Sequence, residues 1–193
     1  MNSKKLILTD IDGVVLDWEI HFHTWVRRHG YDKVDTSFYR VSEKLGMVEE
    51  EAVRLITEFN GSSYIMNVPS FKDARTGIAT LVDNGYRFRA ITSLGDDPGA
   101  RILRQINLEN IFGKEAFESI ICLPLDSPKD DELSNYKDSG QWWIEDKAVN
   151  AVVGADNGLN SLLMAHPHNQ YFTHPKVSRV NDWAHIVSVI LNH

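Results

Sequence analysis

Three short, apolar, β-rich runs in this chain stop abruptly on oxygen-bearing side chains. "LILTDID" ends on Asp10 and Asp12, "FRAITS" on Thr92 and Ser93, and "QWWIED" on Glu145 and Asp146. Runs this short and this apolar suit strands buried inside a parallel sheet. Between them lie amphipathic stretches closed by glycine, such as "FKDARTGIATLVDNG", or opened by proline, as in "PGARILRQIN". Alternation of this kind implies helices on both faces of a parallel sheet. The expected fold class is therefore α/β, a doubly wound, Rossmann-like parallel sheet.

The strands are expected at Lys4–Thr9, 86–92, 118–123, 141–145 and 161–165, with a last helix in "NDWAHIVSVILNH" capped by Asn181 or Asp182. One segment breaks the rhythm. "WEIHFHTWVRRHG", "TSFYRVSEKLG" and "VEEEAVRLITEFNG" follow one another as helical patterns with no strand between them. Residues 17–72 are thus read as a small helical cap inserted after the first strand, and residues 1–16 and 73–193 as the core.

The bulk numbers limit the function. Of the 193 residues, 42% are hydrophobic and 24% charged, as in ordinary globular domains. No apolar run approaches the ~20 residues of a membrane helix, and Asp10 interrupts the N-terminal run too early for a signal peptide. The formal charge of −7 argues against an extended nucleic-acid surface but leaves room for a small phosphorylated ligand. A single cysteine, Cys122, excludes an intrachain disulfide and a cysteine-built metal site. A cytoplasmic location is the simplest expectation.

In an open parallel sheet, ligands bind at the carboxyl ends of the strands. If the three runs are neighbours, Asp10, Asp12, Glu145 and Asp146 share one cleft with Thr92 and Ser93. Four carboxylates in one cleft need protons or a cation. An all-oxygen set suits a hard cation, and Mg²⁺ fits better than Ca²⁺ because it keeps waters and substrate phosphate. Each piece alone has a plainer reading: a turn at Asp12-Gly13, a helix cap at Thr92 and Ser93, a dipole partner at Glu145-Asp146. Only the set, in this order, points to chemistry. A phosphate ligand also calls for a lysine. Lys129 follows a strand closely and is preferred over Lys137, eight residues before Glu145.

These segments resemble a known family. "TDIDGVVLD", "AITS", Lys129 and "WWIEDKAVNA" are similar to the four motifs of the haloacid dehalogenase superfamily of phosphohydrolases. The resemblance covers about residues 4–16 and 73–193. It implies that Asp10 is a nucleophile forming an aspartyl-phosphate, and that Asp12 is the acid/base, a residue the dehalogenases lack. It implies phosphate binding by Thr92, Ser93 and Lys129. It also implies Mg²⁺ held by Asp10, the backbone carbonyl of Asp12, and Asp146, with Glu145 in support.

Within the superfamily the chain looks most like the 5'(3')-deoxyribonucleotidase group, through "DGVVLDW", "ITS", "EDK" and the late "NDWAHIVSVI". That implies a nucleoside monophosphate substrate, with Trp18 at the base pocket or buried by the first cap helix. Phe22, Trp25, Phe38, Tyr39 and Tyr64 are cap aromatics without an assigned role. The alternatives are another small phosphate ester, a nucleic-acid 3'-phosphate, or a non-catalytic phosphate-binding protein of the same fold. Departures from the group are the acidic loop "SLGDDPG", a longer segment from Lys129 to Glu145, and Asn150 where a second acid is common.

Other residues are expected to be structural. His21 and His23 point to different sides of a helix. His166, His168 and His174 are read as loop or surface residues, Cys122 as core, and Trp142 and Trp143 as packing on opposite faces of the sheet.

Overall fold

The computed structural model describes residues 5–32 and 34–193. Lys4, where the sequence reading starts the first strand, lies outside the described residues. The strands are β1 (Lys5–Thr9), β2 (Tyr86–Thr92), β3 (Phe117–Cys122), β4 (Trp142–Glu145), β5 (Asn160–Met164) and β6 (Val177–Val180). They form one six-stranded sheet in the order β3-β2-β1-β4-β5-β6, and every pairing is parallel. The helices are α1 (Trp18–Arg28), α2 (Val41–Leu45), α3 (Glu49–Asn60), α4 (Ala74–Asp83), α5 (Pro98–Phe112), α6 (Asp130–Ser134), α7 (Ala148–Asp156) and α8 (Trp183–Leu191).

Alternation along the strands sorts side chains to two faces. Ile7, Phe88, Ala90 and Ile144 pack in one core with Ile78 and Leu81 of α4, Leu108 of α5, and Trp183 and Ile186 of α8. Leu8, Ile91 and Trp143 pack in a second core with Leu133 of α6 and, beside it, Val153 of α7. Trp142 lies against the first core and Trp143 in the second, on opposite faces as expected. Helices therefore cover both faces, which explains why the strands carry so few polar residues.

The strand order places a topological switch between β1 and β4, the position where doubly wound sheets open a crevice. Asp10 and Asp12 follow β1, Glu145 ends β4, and Asp146 follows it. The amide of Asp10 donates to the carbonyl of Ile144 (2.8 Å), locking the two strand ends together. Beyond Asp10 the chain folds tightly on itself, and the amides of Val14, Val15 and Leu16 all donate to the carbonyl of Ile11. Trp183, fully buried in α8, donates its indole N–H to the carbonyl of Val14 (2.8 Å) and pins this turn to the core.

Among the described residues, 18–67 contain α1–α3 and a short 3₁₀ turn, Ser63–Asn67, and no strand. Three details differ from the sequence reading. The helix expected over 36–46 begins only at Val41, because the Asp35 carboxylate takes the amide (3.0 Å) and hydroxyl of Ser37 and holds that stretch as a turn. Helix α5 continues to Phe112, carried by the buried Leu108 and by Ile111 and Phe112 at the core's edge. β6 was not foreseen: "VSRV" is an edge strand with one fully buried residue, Val180. Asp182 is the cap of α8, accepting from the amide of His185 (2.7 Å). No helix among the described residues is long and apolar enough to cross a membrane.

Candidate active site

At the switch, Asp10, Glu145 and Asp146 each present an oxygen within 4.8 Å of the others, and all three are buried. Lys129 sits among them, itself buried. Its Nζ is 2.9 Å from Asp10 Oδ1 and 2.8 Å from Glu145 Oε2. Burial works against the ammonium, but the charges of Asp10 and Glu145 outweigh it and raise the Lys129 pKa. The lysine thus remains charged and holds two carboxylates in place. Lys137, three residues beyond the end of α6, is exposed.

Glu145 is fully occupied. Oε1 accepts from the amides of Asp146 (3.1 Å) and Lys147 (3.0 Å), and Oε2 accepts from Lys129 and from Asn150 Nδ2 (3.3 Å). Asn150, the residue that departs from an acid, braces Glu145 and would add no charge. Among the described residues no lysine or arginine pairs with the Asp146 carboxylate, and His168 Nε2 lies 3.5 Å from its Oδ2. Burial and then the charge of Asp10 raise the pKa of Asp146 to about 7, and burial raises that of Asp10 to about 6 despite Lys129.

Three carboxylates face one ammonium here, so the charge balance favours a divalent cation. The backbone makes room for the Asp146 carboxylate through Gly13. Its φ is +88°, and a Cβ there would come within 2.5 Å of Asp146 Oδ2.

Asp12 turns away from this group. Its carboxylate meets Arg104 of α5, with Nη2 at 2.8 Å from Oδ1 and 2.9 Å from Oδ2. Burial raises the Asp12 pKa to about 6 in spite of the guanidinium. Thr92 is buried at the end of β2, beside the switch. Ser93 donates its hydroxyl to the carbonyl of Ser127 (3.1 Å), tying the loop that leads to Lys129. The two acids of "SLGDDPG" face outward: Asp96 is exposed, and Asp97 caps α5 by accepting from the amide of Gly99 (2.8 Å).

Residues 18–67 supply one wall. The Tyr39 side chain is 43% exposed, while desolvation of its hydroxyl and the charges of Asp146, Glu145 and Asp10 raise the pKa of that hydroxyl. The Tyr39 ring contacts His168 edge-on (centroids 4.9 Å apart), and Lys147 Nζ stands 5.4 Å from its centre. Trp18 is half-buried, stacked on Phe22 at 4.5 Å, and donates its indole N–H to Asn60 Oδ1 (3.0 Å). Asn60 in turn donates to the carbonyl of Leu94 (3.1 Å), tying α3 to the loop after β2.

Two of the histidines read as loop or surface residues belong to the site's frame. His166 Nε2 lies 2.6 Å from the carbonyl of Gly13, and His168 Nε2 lies 3.2 Å from the carbonyl of Asp146. Their rings stack at 5.4 Å. Burial lowers the pKa of His168, so near pH 7 it is a neutral donor to that carbonyl. The pair clamps the loops that carry Asp12 and Asp146. His174 is not part of it. Arg104 was also missed. Its signal was a lone arginine on the buried 100/104/107/108 stripe of α5.

No protein-family model matches the chain. It is 32% identical over 142 residues to an uncharacterized 32.4 kDa protein of the Gp30–rIII intergenic region of Enterobacteria phage T4, covering 70% of this chain and 50% of that protein. The chain thus spans about half the length of the curated relative it matches. Among solved structures it is similar to a predicted phosphatase from Clostridium acetobutylicum, with a TM-score of 0.68, 16% identity, and both chains covered in full. It is also similar to the L-2-haloacid dehalogenase from Xanthobacter autotrophicus with chloropropionic acid covalently bound, with a TM-score of 0.62, 10% identity, and 98% and 99% of the two chains covered. At such identities the likeness concerns the fold, and the fold of this chain is that of the haloacid dehalogenases.

Proposed function

We propose that this protein is a Mg²⁺-dependent phosphomonoester hydrolase. The observation that carries the reading is the Asp10–Lys129–Glu145 chain of contacts beside Asp146, at the switch point of the sheet. Asp10 is the nucleophile: Lys129 fixes one of its oxygens, which orients the carboxylate for attack on phosphorus. Asp12, held apart by Arg104, protonates the leaving oxygen and then takes a proton from the attacking water. This second acid favours phosphate chemistry over carbon–halogen cleavage within the fold. Lys129 and Thr92 bind the phosphoryl oxygens. Ser93 supports this through the loop it ties to Ser127.

Asp10, Asp146 and the backbone carbonyl of Asp12 would hold the metal, with Glu145 bracing them through Lys129 and Asn150. Mg²⁺ would supply charge neutralisation for the phosphoryl group. Residues 17–72 act as a cap over the core formed by 1–16 and 73–193. Tyr39 stands beside the acids at the mouth of the site.

For the substrate we infer a nucleoside monophosphate. Support comes from the aromatic lining of the cap, with Tyr39 over the acids and Trp18 half-exposed on its stack, surfaces suited to a base. The test is a hydrolysis panel of 5'- and 3'-nucleoside monophosphates, sugar phosphates and a 3'-phosphorylated oligonucleotide, with EDTA and Mg²⁺ as controls. Preference for a nucleoside monophosphate and loss of turnover in EDTA are expected. Preference for another ester would retain the hydrolase and overturn the nucleotide reading, and absence of turnover on all of them would overturn both.

A further inference from the structure

Among the described residues the fully buried Arg104 meets one carboxylate, that of Asp12. It lies on the core-facing stripe of α5 between Ala100 and Leu108, where an apolar side chain would pack without cost. Its Nη2 donates to Asp12 Oδ2 (2.9 Å) across 92 residues of chain and lies 2.8 Å from Oδ1, which has no hydrogen-bond partner. Its Nε and Nη1 are buried with no hydrogen-bond partner. A guanidinium placed this way is a poor device for stability, because burial of the ion and of two unused donors opposes the single contact. It is a good device for geometry. The carboxylate of Asp12 is engaged by α5 and lies outside the group of Asp10, Glu145 and Asp146, in which Lys129 bridges Asp10 and Glu145.

We propose that Arg104 is a positioning residue for leaving-group protonation. It holds the Asp12 carboxyl on the leaving-oxygen side and compensates the carboxylate formed there. This rests on the hydrolase reading above. In the step concerned, an Asp10 oxygen forms a bond to phosphorus. The bond from phosphorus to the ester oxygen breaks, its electron pair passes to that oxygen, and the Asp12 proton follows. The alcohol departs, and Asp12 is left as a carboxylate against Arg104. In the second step water gives its proton to Asp12 and its oxygen to phosphorus, which frees inorganic phosphate and Asp10.

The test compares two esters with the full-length protein in saturating Mg²⁺. An alkyl phosphate needs a proton on its leaving oxygen, whereas p-nitrophenyl phosphate releases a stable anion without one. The ratio kcat/KM reports on the steps through Asp10 phosphorylation only. Arg104→Met is expected to lower kcat/KM for the alkyl ester about a hundredfold, the scale of a general-acid contribution. For the nitrophenyl ester the loss should stay below about tenfold on the same scale. Arg104→Lys, which keeps the charge and serves if the methionine variant does not fold, should show the same skew in weaker form. Equal losses on both esters, or no loss, would overturn the positioning role while leaving the hydrolase intact. A wild-type protein that hydrolyses neither ester would remove the hydrolase reading and this role with it.

Discussion

Lys129 and Asp10 form a buried ion pair, Nζ to Oδ1 at 2.9 Å, and the same ammonium reaches Glu145 at 2.8 Å. One cation thus connects the end of β1 with the end of β4. Removing it leaves two buried carboxylates facing each other. Lys129→Ala is expected to reduce phosphatase activity at least ~100-fold, by analogy with loss of other preorganised charge stabilisers. It should also lower stability by about 3–5 kcal/mol in denaturant unfolding near neutral pH. Lys137→Ala, at an exposed position, should stay within about 0.5 kcal/mol of wild type. The reverse ranking in activity would assign the lysine role to Lys137.

The acids also set a pH dependence. Burial raises Asp10 to about 6 and Asp146 to about 7 from an ordinary 3.8. Between those limits the folded state binds more protons than the unfolded state, so stability falls as pH rises. Below pH ~4 both states are protonated and the penalty is absent. It grows from there and is complete above pH ~7. In chelator-treated protein, this contribution should lower Tm from pH 5 to pH 7.5. Mg²⁺ should restore more at pH 7.5 than at pH 5, and Asp146→Asn should flatten the trend. A Mg²⁺ shift equal at both pH values would contradict the placement of the metal among these acids.

Packing behind the site is tight. A Cβ on Gly154 of α7 would meet Trp143 Cδ1 at 2.2 Å, against a fully buried ring. Alanine has a helix advantage over glycine of about 1 kcal/mol, but overpacking of this kind costs about 1–3 kcal/mol. Gly154→Ala should therefore be net destabilising in urea unfolding, with an unchanged m value. Since Trp143 precedes Glu145 by two residues and bonds the carbonyl of Asn150 (3.1 Å), activity should fall as well. A stabilised variant would show that α7 can move off the sheet freely.

Much of this site was legible because strands advertise their ends. Asp10, Thr92, Glu145 and Asp146 each close an apolar run, and parallel pairing brings those ends together. Lys129 is preferred over Lys137 for its nearness to a strand end, and its Nζ lies 2.9 Å from Asp10 Oδ1. What sequence concealed depends on backbone partners and distant pairing. His166 and His168 bond to carbonyls of Gly13 and Asp146, acceptors that every residue possesses. Arg104 looks like an ordinary surface charge until α5 packs over Asp12. Tyr39 follows the turn that Asp35 and Ser37 form, a local structure that the helical pattern of this stretch hides. β6 escaped notice because an edge strand needs few apolar residues, and Val180 alone is fully buried.

The central claim is that Asp10 becomes phosphorylated during turnover. Rapid acid quenching of the protein with substrate and Mg²⁺, followed by borohydride reduction and peptide mass spectrometry, reads this directly. Conversion of Asp10 to homoserine is expected in the wild type, with no conversion and no turnover in a folded Asp10→Asn variant. Sustained turnover by Asp10→Asn, or turnover of the wild type with the acyl phosphate on another residue, would contradict it.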